Sequence, residues 1–319
     1  MNILINDGLS QDAIAHLENN HFKVFQTSVA QSQLLKYLNE QEIHILVVRS
    51  ATKVDSTIIK EAKYLKAVAR AGVGLDNIDL DAAQTHQIKV INTPTASAKA
   101  VAELTIAHLL TGVRHLQDSN RSMPLEGESR FKELKKSYSS AKELEGKTLG
   151  IIGFGVIGQE TAKKAIGLGM RVLYHDIAQT KVTLKLEFYD GQEIEFNLIN
   201  VSKKHLLEQS DYISLHIPSQ EEYLLGEKEF NMMKKGAGLI NTARGNAVDE
   251  IALINALNTD QLAFAGLDVF ESEPNPEVAL LMHPQISLSP HIGGSTKEAQ
   301  TRIGMDLAEQ LIKTFKSQH

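Results

Sequence analysis

Three glycines within six residues, in Gly153-Phe-Gly-Val-Ile-Gly158, constrain this chain more than any other feature. An apolar run precedes them, an alanine-containing helical pattern follows, and a further apolar run ends at Asp176. The pattern predicts a strand, a tight turn, a helix and a second strand, which together form one βαβ unit.

This arrangement is typical of a dinucleotide-binding turn. Gly153 permits the sharp turn, Gly155 lets the backbone approach a pyrophosphate, and Gly158 lets the helix pack closely. The pyrophosphate binds at the helix N-terminus, where free N–H groups and the helix dipole favour negative charge. Asp176, eighteen residues after Gly158, can accept hydrogen bonds from an adenosine ribose and repels a 2′-phosphate. The sequence therefore predicts NAD rather than NADP, with an ordinary glycine-rich turn as the alternative.

The composition is that of a globular protein large enough for two domains. Of its 319 residues, 42% are hydrophobic and 23% are charged. The net charge of −6 argues against nucleic acid and anionic membranes as partners, so an anionic substrate needs a local cluster of cations. The lack of cysteine excludes disulfides, thiolate catalysis and cysteine-ligated zinc, and we expect no metal. With neither a cationic leader nor a membrane-length apolar run, we expect a cytoplasmic protein.

The first ninety residues alternate short apolar strands with helical patterns, which predicts a second parallel, doubly wound sheet. They contain Gly72-Val-Gly74, but Asn77 stands where a third glycine would be, so we expect this sheet not to bind the dinucleotide. A long helical run at 98–116 follows Pro94 and is a plausible crossing between domains. The predicted fold class is α/β, with two doubly wound, Rossmann-like domains.

Two stretches interrupt this alternation. Residues 127–147 carry mixed charge, and a solvated connector is one interpretation of them. Residues 183–197 alternate apolar and polar side chains around Asp190-Gly191, which predicts a β-hairpin beyond the ribose-binding acid. An inert surface insertion is the simplest interpretation of the hairpin; a cover over the adenosine end and a subunit contact are the alternatives.

Three residues suited to hydride-transfer chemistry follow predicted strands: Arg244, Glu273 and His291. Ligands of open parallel sheets bind outside the carboxyl ends of the strands, so these side chains can converge on one crevice. A guanidinium binds a carboxylate bidentately, an imidazole exchanges a proton near neutral pH, and a carboxylate fixes the imidazole tautomer and raises its pKa. Taken singly, each residue is more often a surface or structural one.

Long motifs follow one another along the chain, among them Arg70-Ala-Gly-Val-Gly-Leu-Asp-Asn-Ile-Asp79, Asn241-Thr-Ala-Arg-Gly245, Asp268-Val-Phe-Glu-Ser-Glu-Pro274 and Ser289-Pro-His-Ile-Gly-Gly-Ser-Thr296. With these motifs the sequence resembles the D-isomer-specific 2-hydroxyacid dehydrogenases over nearly its whole length, most of all the branch that acts on phosphoglycerate. The resemblance implies a flavodoxin-like substrate-binding domain formed by residues 1–97 and 291–319. An NAD-binding Rossmann domain at 98–290, carrying the hairpin, would be inserted into it.

The resemblance also implies roles for single residues. In the family's cleft, His291 takes the proton of the 2-hydroxyl as hydride leaves for the nicotinamide, Glu273 supports the imidazolium, and Arg244 holds the substrate's carboxylate and carbonyl oxygen. Asp268 has an alternative role as a cap of the turn after its strand. The expected cofactor contacts are Gly153, Gly155, Val156, Ile157, Gly158, Asp176, Thr242, Asp268, Gly293 and Gly294. The expected substrate contacts are Arg49, Ser50, Arg70, Gly72, Val73 and Gly74.

Arg49 and Arg70 stand where the phosphoglycerate branch binds its substrate's phosphate. We therefore expect NAD-dependent oxidation of 3-phospho-D-glycerate to 3-phosphohydroxypyruvate, the entry to serine biosynthesis, by a homodimer formed through helix 98–116. The alternatives are a reductase of glyoxylate, hydroxypyruvate or another 2-ketoacid and, in a different class, a dinucleotide-sensing scaffold like the C-terminal-binding corepressors. Because the chain stops at His319 after the last predicted helix, we expect no regulatory serine-binding domain.

Overall fold

The computed structural model describes residues 1–315, which divide into two compact units. The first unit comprises residues 1–98 together with the segment that begins at residue 294, and the second comprises residues 99–293. The expectation about the chain end at His319 concerns residues outside the described part.

The first unit is built on a five-stranded parallel sheet with the strand order β2-β1-β3-β4-β5, the flavodoxin-like arrangement. Its elements are β1 (Asn2–Ile5), α1 (Gln11–Asn19), β2 (Lys23–Gln26), α2 (Gln31–Glu40), β3 (Ile45–Val48), α3 (Ser56–Glu61), β4 (Ala67–Arg70), α4 (Leu80–Thr85) and β5 (Lys89–Asn92). The last described helix of the chain, α12 (Lys297–Phe315), completes it.

Helices cover both faces of this sheet, so its central strands are apolar throughout. In β3, Ile45 and Val47 pack with α1 and α12, whereas Leu46 and Val48 pack with α2, α3 and α4. All four residues of β3 are buried, as expected for a parallel strand between two helical layers. The side chains of Asp55 and Asp79 cap the N-termini of α3 and α4.

The second unit contains a six-stranded parallel sheet with the order β13-β12-β11-β10-β6-β7. Its elements are α5 (Ala98–Val113), α6 (Leu116–Ser137), β6 (Thr148–Ile152), α7 (Val156–Gly167), β7 (Arg171–His175), β8 (Lys181–Glu187), β9 (Glu193–Ile199), α8 (Lys203–Gln209), β10 (Tyr212–Leu215), α9 (Glu227–Met232), β11 (Ala237–Asn241), α10 (Glu250–Asn258), β12 (Leu262–Leu267), α11 (Val278–Met282) and β13 (Ile286–Leu288). The predicted α/β class with two parallel, doubly wound sheets is confirmed.

Strands β8 and β9 form an antiparallel hairpin around Asp190 and Gly191, as the alternating pattern predicted. Leu184 of β8 is buried in the core beneath β6 and α7, while Tyr189 at the tip is fully exposed. Directly after β9, Asn200 forms a parallel bridge with Tyr174 at the outer edge of β7. Asn200 thus occupies the edge where a dinucleotide-binding sheet usually has its third strand.

The structure differs from the sequence prediction in the segment before β6. Residues 127–137, predicted as a solvated connector, belong to the 22-residue helix α6, which contains Pro124 and has a kink at Arg130. Arg130 forms ion pairs with Glu126 and Glu133, and pairs at this spacing stabilise exposed helices. The predicted helix 98–116 ends at Val113, where a residue with positive φ, His115 at 52°, separates α5 from α6. No helix within residues 1–315 is both long and apolar enough to cross a membrane.

Candidate active site

The glycine turn between β6 and α7 has the geometry that its three glycines predict. Gly153 has a φ of 88°, and a Cβ there would lie 2.3 Å from the carbonyl oxygen of His216. A Cβ on Gly158 would lie 2.3 Å from the carbonyl oxygen of Gly153, so the turn and the helix pack directly on each other. A Cβ on Gly155 would meet no atom within 4 Å, so the space over this residue is open.

Open space over Gly155 is what a pyrophosphate requires. Gly155 is the N-cap of α7 and has no side chain to occupy the N–H groups of the first helical turn, which leaves them for an anion. The first turn, beginning with Val156 and Ile157, contains no acidic side chain that would repel one. The turn therefore fits the diphosphate of NAD.

Asp176, at the end of β7, is held in place by backbone donors. Its Oδ2 accepts the N–H of Phe154 at 2.7 Å, and its Oδ1 accepts those of Ala178 at 2.8 Å and Gln179 at 3.1 Å. Burial alone would raise the pKa of Asp176, but these donors outweigh it and the pKa is lowered. The carboxylate is therefore ionised and fixed beside the glycine turn.

Asn200 also fixes the backbone of Asp176, a contact that the sequence patterns did not predict. Its Oδ1 accepts the N–H of Asp176 at 3.1 Å, and its Nδ2 donates to the carbonyl of Asp176 at 2.7 Å. The neighbouring carbonyl of Val201 lies 2.8 Å from Nδ1 of His175. The end of the hairpin thus anchors the predicted ribose-binding residue. The available signal was an asparagine placed directly after the alternating run of β9.

His291 and Glu273 form a hydrogen-bonded pair in the second unit. Nδ1 of His291 lies 2.8 Å from Oε2 of Glu273, whose Oε1 accepts the N–H of Phe270 at 3.0 Å. The hydrogen bond from Glu273 is the main cause of a raised pKa for His291. Burial opposes ionisation of Glu273, yet its bond to His291 and the Phe270 N–H keep its pKa low. The neutral imidazole therefore carries its proton on Nδ1 and leaves Nε2 as a base.

Arg244 lies close enough to this pair to act on it electrostatically. Its positive charge contributes to the lowered pKa of Glu273 and opposes the rise in the pKa of His291. The side chain of Asn241 fixes the local backbone, since its Nδ2 donates to the carbonyl of Arg244 at 2.8 Å and its Oδ1 accepts the N–H of Ala243 at 3.1 Å. The three predicted catalytic residues therefore form one group at the C-terminal ends of β11, β12 and β13.

The side chains of two predicted cofactor contacts, Thr242 and Asp268, form hydrogen bonds with other groups of the protein. The Thr242 hydroxyl lies 2.9 Å from that of Thr105 on α5. Asp268 is buried, and its carboxylate accepts the N–H groups of Ile292 and Gly293, each at 2.8 Å. Asp268 thus fixes the loop after β13 rather than capping the turn after its own strand, and cofactor contacts of both residues stay predictions.

A largely apolar pocket of about 390 Å³ adjoins the pair of His291 and Glu273. It is lined by Phe270, Glu273, Pro274, Pro276, Leu281, Leu288, Ser289, Pro290 and His291. These residues give the imidazole an apolar flank within the second unit. Among residues 1–315 there is no group of three or more acidic or histidine side chains that could hold a metal ion.

In the first unit, Arg49 follows β3 and Arg70 ends the neighbouring strand β4, so both stand at the same edge of the sheet. Asp7 accepts the N–H groups of Arg49 at 2.7 Å and Thr52 at 3.1 Å. The side chain of Asn77 donates to the carbonyls of Arg49 at 2.7 Å and Thr52 at 2.6 Å. The loop that carries Arg49 and the exposed Ser50 is therefore held from both sides.

Three further predicted substrate contacts, Gly72, Val73 and Gly74, follow β4 at this same edge. Gly72 has a φ of 152°, and the guanidinium of Arg70 occupies the place where a Cβ on Gly72 would be. The carbonyl of Val73 accepts a hydrogen bond from Asn92 at 2.7 Å. Gly294 also belongs to the first unit, where its carbonyl accepts a hydrogen bond from Gln300 at 2.7 Å. The predicted pair Gly293 and Gly294 thus spans the boundary between the two units.

Comparisons with known proteins find one family model and several similar proteins. Residues 106–293 match the family model described as D-isomer specific 2-hydroxyacid dehydrogenase, NAD binding domain. A hydroxypyruvate reductase of Thermotoga maritima is 41% identical over 315 residues, which are 97% of this chain and 96% of that protein. A D-3-phosphoglycerate dehydrogenase of Archaeoglobus fulgidus is 37% identical over 99% of this chain, which spans only 58% of that longer protein. The NAD⁺-bound 3-phosphoglycerate dehydrogenase of Entamoeba histolytica superposes with a TM-score of 0.78 at 26% identity, covering 100% of this chain and 96% of that one.

Proposed function

This chain belongs to the D-isomer-specific 2-hydroxyacid dehydrogenase family, with NAD as cofactor, and on that premise we propose that it interconverts 3-phospho-D-glycerate and 3-phosphohydroxypyruvate. The observation that carries this choice of substrate is the pair Arg49 and Arg70 at one edge of the first unit's sheet. Guanidinium groups bind phosphate through charge-assisted, often bidentate hydrogen bonds. An uncharged substrate end would have no use for two such groups.

His291 is the acid and base of the reaction. Bound NAD would accept the hydride that leaves the carbon bearing the 2-hydroxyl group. Because Nδ1 of His291 donates to Glu273, Nε2 takes the hydroxyl proton during oxidation and returns it during reduction. Glu273 stabilises the imidazolium that forms, which is the physical reason for the raised pKa of His291. Arg244 binds the carboxylate and the oxygen that becomes the carbonyl.

Asp176 selects NAD. It is ionised because its pKa is lowered, and its position beside the glycine turn is fixed by three backbone donors. A ribose with free hydroxyls can donate to such a carboxylate, whereas a 2′-phosphate is repelled.

Hydroxypyruvate reduction is the second candidate, and one observation favours it. The Thermotoga maritima hydroxypyruvate reductase is 41% identical to this chain, whereas the Archaeoglobus fulgidus dehydrogenase is 37% identical. His291, Glu273 and Arg244 would perform the same chemistry on this smaller ketoacid. The two candidates therefore differ only in whether the substrate carries a phosphate.

The test is NADH oxidation with 3-phosphohydroxypyruvate, hydroxypyruvate, glyoxylate and 2-oxoglutarate at equal concentrations, in the wild type and in Arg49→Ala and Arg70→Ala. Loss of a charged hydrogen bond costs about 1.5–3 kcal/mol, so kcat/KM for the phosphorylated ketoacid should fall roughly 10- to 100-fold. Turnover of hydroxypyruvate should change less than about twofold and so reports correct folding. Arg171→Ala, at an exposed position that begins β7, is the matched control. A wild type that prefers hydroxypyruvate, with no effect of either arginine, would establish the second candidate instead.

We also propose a homodimer formed through the helices before β6, with serine biosynthesis in the cytoplasm as its setting. Large apolar side chains are exposed along these helices: Leu110, Leu116, Met123, Leu125 and Phe131. These exposed apolar side chains would gain from burial against a second copy. Light scattering should give twice the mass of one chain for the wild type and the single-chain mass for Leu125→Glu combined with Phe131→Glu.

A further inference from the structure

His108 is a buried imidazole on α5 that the proton transfer does not use. Only 5% of its surface is exposed. The ring fits against β12 because Gly266 has no side chain; a Cβ there would lie 2.6 Å from the Cβ of His108. Burial lowers the pKa of His108, so the ring is neutral at neutral pH. A neutral imidazole has one N–H donor and one acceptor nitrogen.

Each ring nitrogen of His108 lies beside a serine hydroxyl, and the Ser289 hydroxyl decides which nitrogen carries the proton. Nδ1 of His108 lies 2.9 Å from Oγ of Ser287, and Nε2 lies 2.9 Å from Oγ of Ser289. Ser289 donates its hydroxyl proton to Oδ1 of Asp268 at 2.5 Å, so its oxygen must accept the N–H of Nε2. Nδ1 then accepts from Ser287. The hydrogen bonds run in one direction, from Ser287 through His108 and Ser289 to Asp268.

The carboxylate at the end of this series holds the loop that presents the catalytic imidazole. Besides the N–H groups of Ile292 and Gly293, which its side chain accepts, the carbonyl of Asp268 accepts the N–H of His291 at 2.8 Å. His291 has a φ of 54°, a conformation that residues other than glycine seldom adopt. Surrounding contacts must therefore maintain it.

We propose that His108 is a positioning residue for His291: it orients the Ser289 hydroxyl toward Asp268 and so keeps the loop at 289–293 in its reactive conformation. The inference rests on the proposed acid and base role of His291. His108 itself touches neither the reacting atoms nor the cofactor turn, and no proton moves along the series.

Steady-state kinetics of four variants test the proposal. In His108→Leu and Ser289→Ala, kcat should fall about tenfold or more, because displacing a reacting group by 1 Å can cost up to about 100-fold, while KM for NADH stays within about twofold. The double variant should be no slower than Ser289→Ala alone, since both changes remove the hydrogen bond between His108 and Ser289. His108→Gln, which can donate to Ser289 in the same place, should recover most of the activity.

Ser287→Ala is the matched control, because Ser287 bonds the same ring but does not contact Asp268. It should lower the melting temperature as His108→Leu does, yet keep kcat within about twofold of the wild type. If Ser287→Ala lowers kcat as much as His108→Leu, the ring has only a structural role and the proposal is overturned.

Amide hydrogen exchange gives a readout that does not require turnover. The N–H groups of Ile292 and Gly293 should exchange faster in His108→Leu and Ser289→Ala and at the wild-type rate in Ser287→Ala and His108→Gln. If the wild type reduced no ketoacid, the proposed function would be refuted, but the hydrogen-exchange test of the positioning role would still apply. Unchanged exchange in His108→Leu would overturn the positioning role whatever the activity.

Discussion

The two units use one sheet architecture for different purposes, and the contrast lies in the loops at the C-terminal ends of their strands. In the second unit, the turn at 153–158 has a third glycine, Gly158, and open space over Gly155. In the first unit, Asn77 takes the place of the third glycine, and its side chain binds the carbonyls of Arg49 and Thr52. Sheet topology therefore sets where a ligand binds, whereas single loop residues set which ligand it is.

Charge divides the two edges in the same way. The first unit places Arg49 and Arg70 at its edge, which suits an anionic substrate group. The second unit places the carboxylates of Asp176, Glu273 and Asp268 there, each accepting backbone N–H groups that hold it in position. In the proposed function, proton transfer, cofactor selection and binding of the substrate carboxylate by Arg244 therefore belong to the second unit, and recognition of the substrate's phosphate belongs to the first.

The largest effect should come from removing the acid and base of the second unit. His291→Ala should lower kcat about 1,000-fold, because general acid–base catalysis contributes roughly 100- to 10,000-fold. NADH affinity, followed by nicotinamide fluorescence in this tryptophan-free chain, should stay within about twofold. His205→Ala, on the surface of α8, is the matched control. A His291→Ala variant that kept more than a tenth of wild-type kcat would contradict the proposed role of His291 as the acid and base.

Two alanine substitutions in the glycine turn should separate cofactor binding from folding. Gly155→Ala should weaken NADH binding about tenfold or more at an unchanged melting temperature, because its Cβ meets no protein atom within 4 Å but fills the space for the pyrophosphate. Gly158→Ala should lower the free energy of unfolding by about 1–3 kcal/mol, because its Cβ would overlap the carbonyl of Gly153. Fluorescence titration and denaturant unfolding measure the two effects. Equal loss of stability in both variants would contradict the open space over Gly155.

Cofactor choice gives a smaller effect. Asp176→Ala should raise the ratio of kcat/KM for NADPH to that for NADH about tenfold, because it removes both the ribose acceptor and the charge that repels a 2′-phosphate. Asp190→Ala, at the exposed tip of the hairpin, removes the same charge at another place and should leave the ratio unchanged. An equal shift in both variants would mean that Asp176 acts only through the net charge of the unit.

The smallest effect should follow from giving the first unit the missing glycine. Asn77→Gly should create no second cofactor site, so the NADH stoichiometry measured by calorimetry should remain one per chain. The loss of two hydrogen bonds to the Arg49 loop should raise KM for the ketoacid about two- to fivefold. A stoichiometry of two NADH per chain would show that Asn77 alone keeps the sheet edge of the first unit from binding the cofactor.

Sequence patterns predicted the features that neighbouring residues determine. Strand β11 follows an apolar run of the sequence, because its five residues are buried and a polar loop comes after them. Asp249 is the N-cap of α10 and accepts the N–H of Ala252, which is a local signal for the start of a helix. Arg244, Glu273 and His291 could be selected because the ends of parallel strands lie along one edge.

Contacts between distant residues could not be predicted from periodicity. His108 and Ser287 are 179 positions apart, and no local pattern links a histidine on an apolar helix to a serine in a late strand. Asn200 directly follows the hairpin, so its bond to Asp176 had no counterpart in the glycine fingerprint. Helix α6 could not be predicted from the sequence because Pro124 and Gly127 usually disfavour a helix. It also has ion pairs along its surface rather than the apolar stripe that indicates a helix.

The most direct test of the central claim is the pH dependence of kcat/KM measured in both directions. A raised pKa means that the His291 imidazolium, the acid for ketoacid reduction, persists above the usual pKa of histidine and is lost as pH rises further. Reduction should therefore fall, and oxidation rise, through one shared pKa above 6.5, and Glu273→Gln should move both limbs to lower pH. Limbs that move in the same direction, or a midpoint unchanged in Glu273→Gln, would contradict the assignment of proton transfer to this pair.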